Sequence, residues 1–442
     1  MDEQQNKRLL DRAIRLARDV GARLDLDAHV ELWDGSRHPL GAKATGSFVL
    51  KIGDSGVVAS LLRRPTIDTL IELYVAKRID FAGGTLLDFG RQLNRGGRSV
   101  KIGALQKLGL VRDLAPFFFA PREAVAAQNV TKGDFKGEIT GKARKEGDNK
   151  DFISFHYDLS NEFYALFLDP EMVYSCAYFT RWEGSLEQAQ VDKLDMICRK
   201  LRLTPGERFL DIGCGWGGLV AHAAKTYGVK AHGITLSTEQ LTLARAKIEK
   251  LGLQAQVTFE LTDYMKLSGT YDKIASIGMY EHIGLQNIPA YMTKVRSLLA
   301  EDGLFLNHAI FRRAKKPRSI LLPERLRPEQ RALAKYIFPG GALDDIGHTL
   351  GEMERAGFEV QDVEAWRMHY ARTCSLWLDR LMARKDEAIT IVGEEKYRIY
   401  IAYLAGCALA FERGTARLFQ TLVSKTAKRP PPLPSTREDL YR

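Results

Sequence analysis

The chain is poor in cysteine, with five among 442 residues (Cys176, Cys198, Cys214, Cys374 and Cys407), an odd number with no C-x-x-C spacing. That pattern points to neither a disulfide framework nor a zinc knuckle; no metal site is expected, and a reducing cytoplasm is the compartment it suits. Long apolar runs are missing too. The longest, residues 399–411, has 13 residues, against about 20 for a helix that spans a bilayer. The opening MDEQQNKRLLDRAIRLARDV is charged from its second residue and reads as an amphipathic helix, where a secretory signal would show an apolar run. Membrane contact is therefore expected to be peripheral. No internal repeat is found. Apolar content is not lacking: 45% of the residues are hydrophobic and 9% aromatic, which excludes disorder throughout.

A length of 442 residues suggests two or three domains. Lys and Arg number 65 against 55 Asp and Glu, a net charge of +10, which favours anionic partners without distinguishing phosphate backbones from lipid headgroups. Residues 1–120 mix short glycine-punctuated β-prone runs with helical spacing and read as an accessory domain. Residues 121–150 lose all period and fill with Lys, Gly and Asp, as a mobile basic linker does. Residues 151–425 form the catalytic domain of this reading. Within it helix and strand patterns alternate from 186 to 311 (EQAQVDKLDMICRKL, RFLDIG, GLVAHAAKTYG, KAHGITL and onward), which predicts a doubly wound parallel α/β sheet. Two long helical patterns follow, TCSLWLDRLMARKDEAI and KYRIYIAYLAGCALAFERGTARLFQTLV. Residues 426–442 read as a disordered tail.

The strongest local signal is RFLDIGCGWGGLVAHAA: an apolar strand ending in Asp211, then Gly213, Gly215, Gly217 and Gly218, then a helix. Such a turn lets backbone N–H groups approach a ligand unshielded by side chains. Gly213, Gly215 and Gly218 also satisfy G-x-G-x-x-G, so a dinucleotide site and a merely structural turn both stay in play. Two features favour S-adenosylmethionine. Asp211 suits a ligand with a cationic end, where a pyrophosphate would be repelled. The second strand ends in Thr235 and Ser237, where a dinucleotide site carries its ribose-binding acid. Asp263 after the third strand is placed to accept an adenine amino group, with Tyr264 beside it to stack, although an Asp at a strand end also serves as a helix cap.

Taken together, HYDLSNEFYALFLDPEMVYSCAYF, LDIGCGWGG, GITLSTEQ, SIGMYEHIG, NHAI, YIFPGG and LAGCALAF resemble the cyclopropane-fatty-acid synthase family, in order, from about residue 156 to 419. ELYVAKRIDFAGGTLLDF is similar to that family's accessory domain. The resemblance implies a class I methyltransferase (Rossmann-like) core with C-terminal helical additions, and transfer of a methylene group from S-adenosylmethionine to the cis double bond of an unsaturated phospholipid acyl chain. It implies a bound bicarbonate ion as the base, held by Cys176, Glu281, His308, Tyr370 and Cys407. For the donor it implies Tyr174 and Ser175 at the methionine end, Asp211, Gly213, Gly215, Trp216 and Gly217 around the ribose and sulfonium, Thr235 and Gln240 at the ribose, and Asp263 and Tyr264 at the adenine. Blander roles stand beside these: Cys407 as a core residue of an apolar helix, His308 as a hydrogen-bonded strand-end residue. The family's His-Thr-Ile-Gly setting is here His308, Ala309, Ile310 and Phe311, so Phe311 is expected to narrow or re-aim the acyl channel.

The chemistry accounts for these residue types. An isolated alkene is a weak nucleophile, so holding it in line with the sulfonium methyl supplies several kcal/mol. A carbocation results, which calls for a dry apolar site and a placed base. The partners implied are an anionic membrane surface at the inner face of the cytoplasmic membrane and no nucleic acid, with lipid docking and pairing into a homodimer as the two roles open to the N-terminal domain. RRAKKPR at residues 312–318 and the basic run at 132–150 would meet headgroups; Phe117, Phe118 and Phe119 read as a wedge or as core. Competing readings are a methyl-branched, methylene-bearing or hydroxylated product, a small-molecule methyltransferase, and a noncatalytic lipid-binding protein.

Overall fold

A computed structural model describes residues 3–22, 26–42, 44–64, 66–95, 112–118, 160–314, 343–428 and 433–441. The basic run at 132–150, the YIFPGG motif, the His156 end of the first motif and most of RRAKKPR lie outside the described residues. Two compact units are present. The sequence reading placed 151–425 in one domain; Val392–Leu409 groups with the first unit.

In the first unit, β1 (His29–Glu31), β2 (Arg37–Pro39), β3 (Val49–Ile52) and β4 (Ile79–Ala82) form a sheet in the order β2-β1-β3-β4. Helices α1 (Glu3–Gly21), α2 (Ser55–Arg63), α3 (Ile67–Val75) and α4 (Leu86–Arg95) accompany it. Leu9, Ala13, Leu16 and Ala17 recur at helical spacing along α1 and are buried in one cluster with Val30, Phe48, Phe89 and Phe117. Of the three consecutive phenylalanines, Phe117 is core and Phe118 is exposed; Phe119 lies outside the described residues. Arg398 is buried in this unit. Its Nε donates to the Tyr74 carbonyl at 2.7 Å and its Nη2 to the Ile79 carbonyl at 3.1 Å, with the guanidinium 4.0 Å from the Tyr74 ring centroid.

The second unit is built on β5 (Arg208–Ile212), β6 (Lys230–Thr235), β7 (Val257–Leu261), β8 (Tyr271–Ile277), β9 (Leu299–Arg312), β10 (Phe358–Ala365) and β11 (Ala416–Lys425), ordered β10-β11-β9-β8-β5-β6-β7. All neighbours from β7 to β9 pair parallel, and β11 runs antiparallel to both β9 and β10. This is the class I methyltransferase fold. Strand order reverses between β5 and β8, the point where ligands collect at the carboxyl ends of such a sheet. The helices are α5 (Asn161–Ala165), α6 (Leu186–Lys200), α7 (Gly218–Tyr227), α8 (Thr238–Leu251), α9 (Ile288–Leu298), α10 (Ile346–Arg355), α11 (Arg367–Ala383) and α12 (Lys385–Arg413); the Val392–Leu409 stretch of α12 belongs to the first unit.

Two expectations are corrected. The last helical pattern was expected to run through TARLFQTLV, but α12 ends at Gly414, whose φ of 69° closes it, and the next residues form β11. That stretch alternates enough to fill the gap between β9 and β10, and pairing satisfies its backbone on both edges. Residues 433–441, expected in a disordered tail, are mostly exposed but anchored: Leu440 is buried in a short 3-10 turn, and Arg437 pairs with Asp362 at 2.5 Å. Among the described residues, no helix is long and apolar enough to cross a membrane.

Replacing Arg398 by Leu strands two buried carbonyls. Stability is expected to fall by about 2–4 kcal/mol, read as a lower urea midpoint; an unchanged midpoint would remove Arg398 from the fold's supports.

Candidate active site

The cleft at the β5–β8 switch point is lined by Tyr174, Ser175, Asp211, Gly213, Gly215, Trp216, Thr235, Gln240, Asp263 and Tyr264, ten of the eleven donor-site residues expected from sequence. Gly217, the eleventh, caps α7 at φ 77°, and a Cβ there would stand 2.8 Å from the Phe259 ring; only glycine fits. Thr235 donates to Gln240 Oε1 at 2.8 Å, so the two candidate ribose ligands are held together. One Asp263 oxygen accepts the Met265 N–H at 2.8 Å, so Asp263 caps a helical turn and lines the cleft as well. Trp216 donates through Nε1 to Asn161 at 2.7 Å, which fixes its ring over the loop.

Electrostatics in the cleft are set by burial. Asp211 is 2% exposed, its Oδ1 has no hydrogen-bond partner, and desolvation pushes its carboxyl up to about 7 against the pull of Lys193. Burial likewise lowers Lys193 to about 8, opposed by Asp169, Cys176 and Asp211. Lys193 donates to Ser175 Oγ at 3.0 Å. An orphaned buried acceptor in a cleft also lined by Ser175, Thr235, Gln240 and Asp263 fits a ligand that is cationic at one end and hydrogen-bonding elsewhere, as S-adenosylmethionine is.

An aromatic wall leads away from this cleft. Trp216 and Tyr164, Tyr164 and Tyr174, and Tyr174 and Trp377 each have ring centroids 5.2 Å apart; Trp377 meets Tyr370 edge-on at 6.1 Å, and Tyr370 stacks on Phe411 at 4.5 Å. Burial pushes the Tyr370 phenol well up, with Cys374, Cys176, Tyr174 and Glu281 adding to the shift. Tyr370 is thereby within electrostatic reach of two other expected ion ligands, Cys176 and Glu281. Cys176 is wholly buried, its thiol donates to the Ala177 carbonyl at 3.2 Å, and desolvation holds it far above the thiolate range. Glu281 accepts the Ile310 N–H through Oε1 at 2.6 Å, while Oε2 is buried without a partner and burial pushes the carboxyl up to about 7. His308, on β9, is 1% exposed; burial, Lys193 and Lys200 keep it neutral, and its Nε2 has no partner. Cys407 belongs to the first unit, where desolvation pushes its thiol up to about 12. Phe311 is core, packed on Tyr280 and Phe419.

A family profile described as mycolic acid cyclopropane synthetase matches residues 144–421. A Pseudomonas putida protein named "Probable fatty acid methyltransferase" is 35% identical over 422 residues, 95% of this chain and 97% of that one. Among solved structures, the cyclopropane synthase MmaA2 from Mycobacterium tuberculosis aligns with a TM-score of 0.59 at 34% identity, covering 62% of this chain and 98% of that one. The mycolic acid cyclopropane synthase CmaA1 complexed with SAH and CTAB aligns with a TM-score of 0.58 at 33% identity, over 62% and 98%.

The chain belongs to the mycolic acid cyclopropane synthetase family. It is an S-adenosylmethionine-dependent methyltransferase, and its chemistry is lipid methylation.

Sequence reasoning missed several polar residues of this synthetase-family core. Gln190 and Lys193 are buried on α6, where Gln190 Nε2 donates to the Val173 and Ser175 carbonyls at 3.2 and 3.0 Å. Lys200, on the same helix, is also buried. A signal was present: residues 186, 190, 193, 197 and 200 fall on one stripe of α6, and a Gln and two Lys interrupt its apolar run.

Glu281 carries a pH prediction. Because its folded value is raised from 4.5 to about 7, the unfolded chain sheds this proton first, and the folded state loses stability as pH rises through that window. Glu281→Gln should therefore gain on the order of 2 kcal/mol over the parent at pH 8 and little at pH 4. Urea unfolding at both pH values checks this, and an equal difference at the two would contradict it.

Proposed function

We propose that the protein is a cyclopropane-fatty-acyl-phospholipid synthase, which transfers a methylene group from S-adenosylmethionine to the cis double bond of a phospholipid acyl chain. The observation that carries this reading is a pair of buried polar atoms without partners, Glu281 Oε2 and His308 Nε2, in the same unit as the donor cleft and its aromatic wall. Buried polar atoms are seldom left unpaired unless something else satisfies them.

The donor supplies an electrophilic methyl group on a cationic sulfur, and bicarbonate supplies a base that water-free surroundings keep strong. The site would then have to hold the alkene against that methyl group, shelter the positive charge passed to the acyl chain as the carbon–sulfur bond breaks, and keep the base where it would take one proton from the added methyl group as the ring closes. The chain's own residues meet each requirement. Trp216, Tyr164, Tyr174, Trp377 and Tyr370 form a connected aromatic wall that keeps water out, and a π face turned to a desolvated cation is worth about 2 kcal/mol. The Tyr370 hydroxyl, which burial keeps protonated, is available as a hydrogen-bond donor to the base. Glu281, balanced near neutrality, accepts or holds a proton at Oε2. A bicarbonate ion presents one hydroxyl and several acceptor oxygens, which fits one acceptor and two donors. Cys176 stays a thiol and needs no nucleophilic role.

A second reading, methylation without ring closure, is favoured by the name of the Pseudomonas putida relative and shares every step up to proton loss. Incubating the protein with S-adenosylmethionine and vesicles of a cis-unsaturated phospholipid, then examining the released fatty acids by proton NMR, separates the two. Upfield cyclopropane protons are expected; a methyl-branched or methylene product would overturn ring closure.

Access to the bilayer in this reading is peripheral, at the inner membrane surface, through the +10 charge balance. Vesicle binding should strengthen with anionic lipid and weaken as salt rises from 0.05 to 0.5 M, by roughly tenfold or more. Equal binding to neutral vesicles at both salt levels would discard this docking mode.

A further inference from the structure

Four side chains make a continuous polar line across the sheet. Strand register sets Glu364 of β10 opposite Gln420 of β11, and Gln420 opposite His308 of β9. Lys200 reaches this row from α6. Its ammonium donates to Gln420 Oε1 at 2.8 Å and pairs with Glu364, with Asp362 at 3.8 Å. Gln420 in turn stands with Nε2 3.1 Å from His308 Nδ1. Gln420, Lys200 and His308 are each about 1% exposed, so no water competes for these bonds.

An amide can be flipped, but here Lys200 decides its orientation. An ammonium only donates, so the Gln420 oxygen must face it, and the amide NH2 must face the imidazole. A donor facing Nδ1 requires a lone pair there. The single imidazole hydrogen is left on Nε2, the buried atom with no partner. Trp366 closes the surroundings, edge-on to His308 at 5.6 Å and 5.3 Å from the Lys200 ammonium. A second proton on the ring would put a cation in a buried site near Lys193 and Lys200; burial first, and then those two charges, hold its pKa well down.

We propose that Lys200 and Gln420 are positioning residues that lock His308 in its Nε2–H tautomer, so that the reaction meets a hydrogen-bond donor at this edge. What that donor serves rests on the function proposed above: it would hold an oxygen of the base. Lys200 and Gln420 themselves touch no reacting atom.

The test uses the full chain labelled with [15N]histidine, with the His308 signals assigned by their loss in His308→Gln. Pyridine-type Nδ1 and pyrrole-type Nε2 shifts are expected from pH 6 to 8. An Nδ1–H ring or an imidazolium would overturn the proposal, whether or not any variant folds. Gln420→Glu puts an acceptor against Nδ1 and should invert the tautomer, lowering kcat by about 100-fold while S-adenosylmethionine affinity stays within about twofold. Lys200→Met frees the amide and should bring up signals of both tautomers. Full kcat with an inverted tautomer would also overturn the proposal. Wild-type protein that shows the expected shifts yet methylates no lipid would instead overturn the function on which the donor's role rests. Lipid methylation with His308 in the other tautomer would overturn the tautomer lock alone.

Discussion

Desolvation at the carboxyl end of the parallel sheet governs this protein's chemistry. Asp211, Glu281, Lys193 and His308 lie where water does not reach, and each is moved toward its neutral form by that exclusion. A carboxyl near 7 and an ammonium near 8 change protonation with little driving force, while a histidine held neutral keeps one donor and one acceptor edge. The same burial disarms Cys176, whose thiol it holds well above the ordinary thiol range. A dry pocket that suits a carbocation thus also chooses which side chains take part.

Holding so many polar groups out of water requires partners, and the fold provides them through register. The β5–β8 switch point sets the glycine loop along the cleft, with the Gly213 and Cys214 N–H groups tied to the Ile234 carbonyl. On the other side of β8, the antiparallel strand β11 slots Gln420 between His308 and Glu364. Lys200 binds that row from above, and the chain's last residues return to Asp362 through Arg437. Helix α6 therefore has two duties: its apolar residues pack the sheet, and its lysines bias the groups at the sheet's end.

Much of the fold was legible because periodicity is local. The alternating patterns from 186 to 311 gave the parallel sheet, and the run from Asp211 to Gly218 gave the donor loop. The strand β11 was misread as helix because its apolar residues suit either period until a partner on each edge decides. The anchoring of residues 433–441 was missed because their composition is that of a tail and their anchors, Arg202 and Asp362, are far away in sequence.

The sequence by itself determined the class I core, the methyl donor and the family, since each is written in contiguous motifs whose geometry is set within one turn and its flanking strand and helix. Only the tertiary structure decided which polar residues act together. Lys200, His308 and Gln420 are separated by more than a hundred residues at each step, and they meet because strand register and one helix face bring them there. Their ionisation and tautomer depend on the water excluded by that meeting, a quantity no local pattern carries.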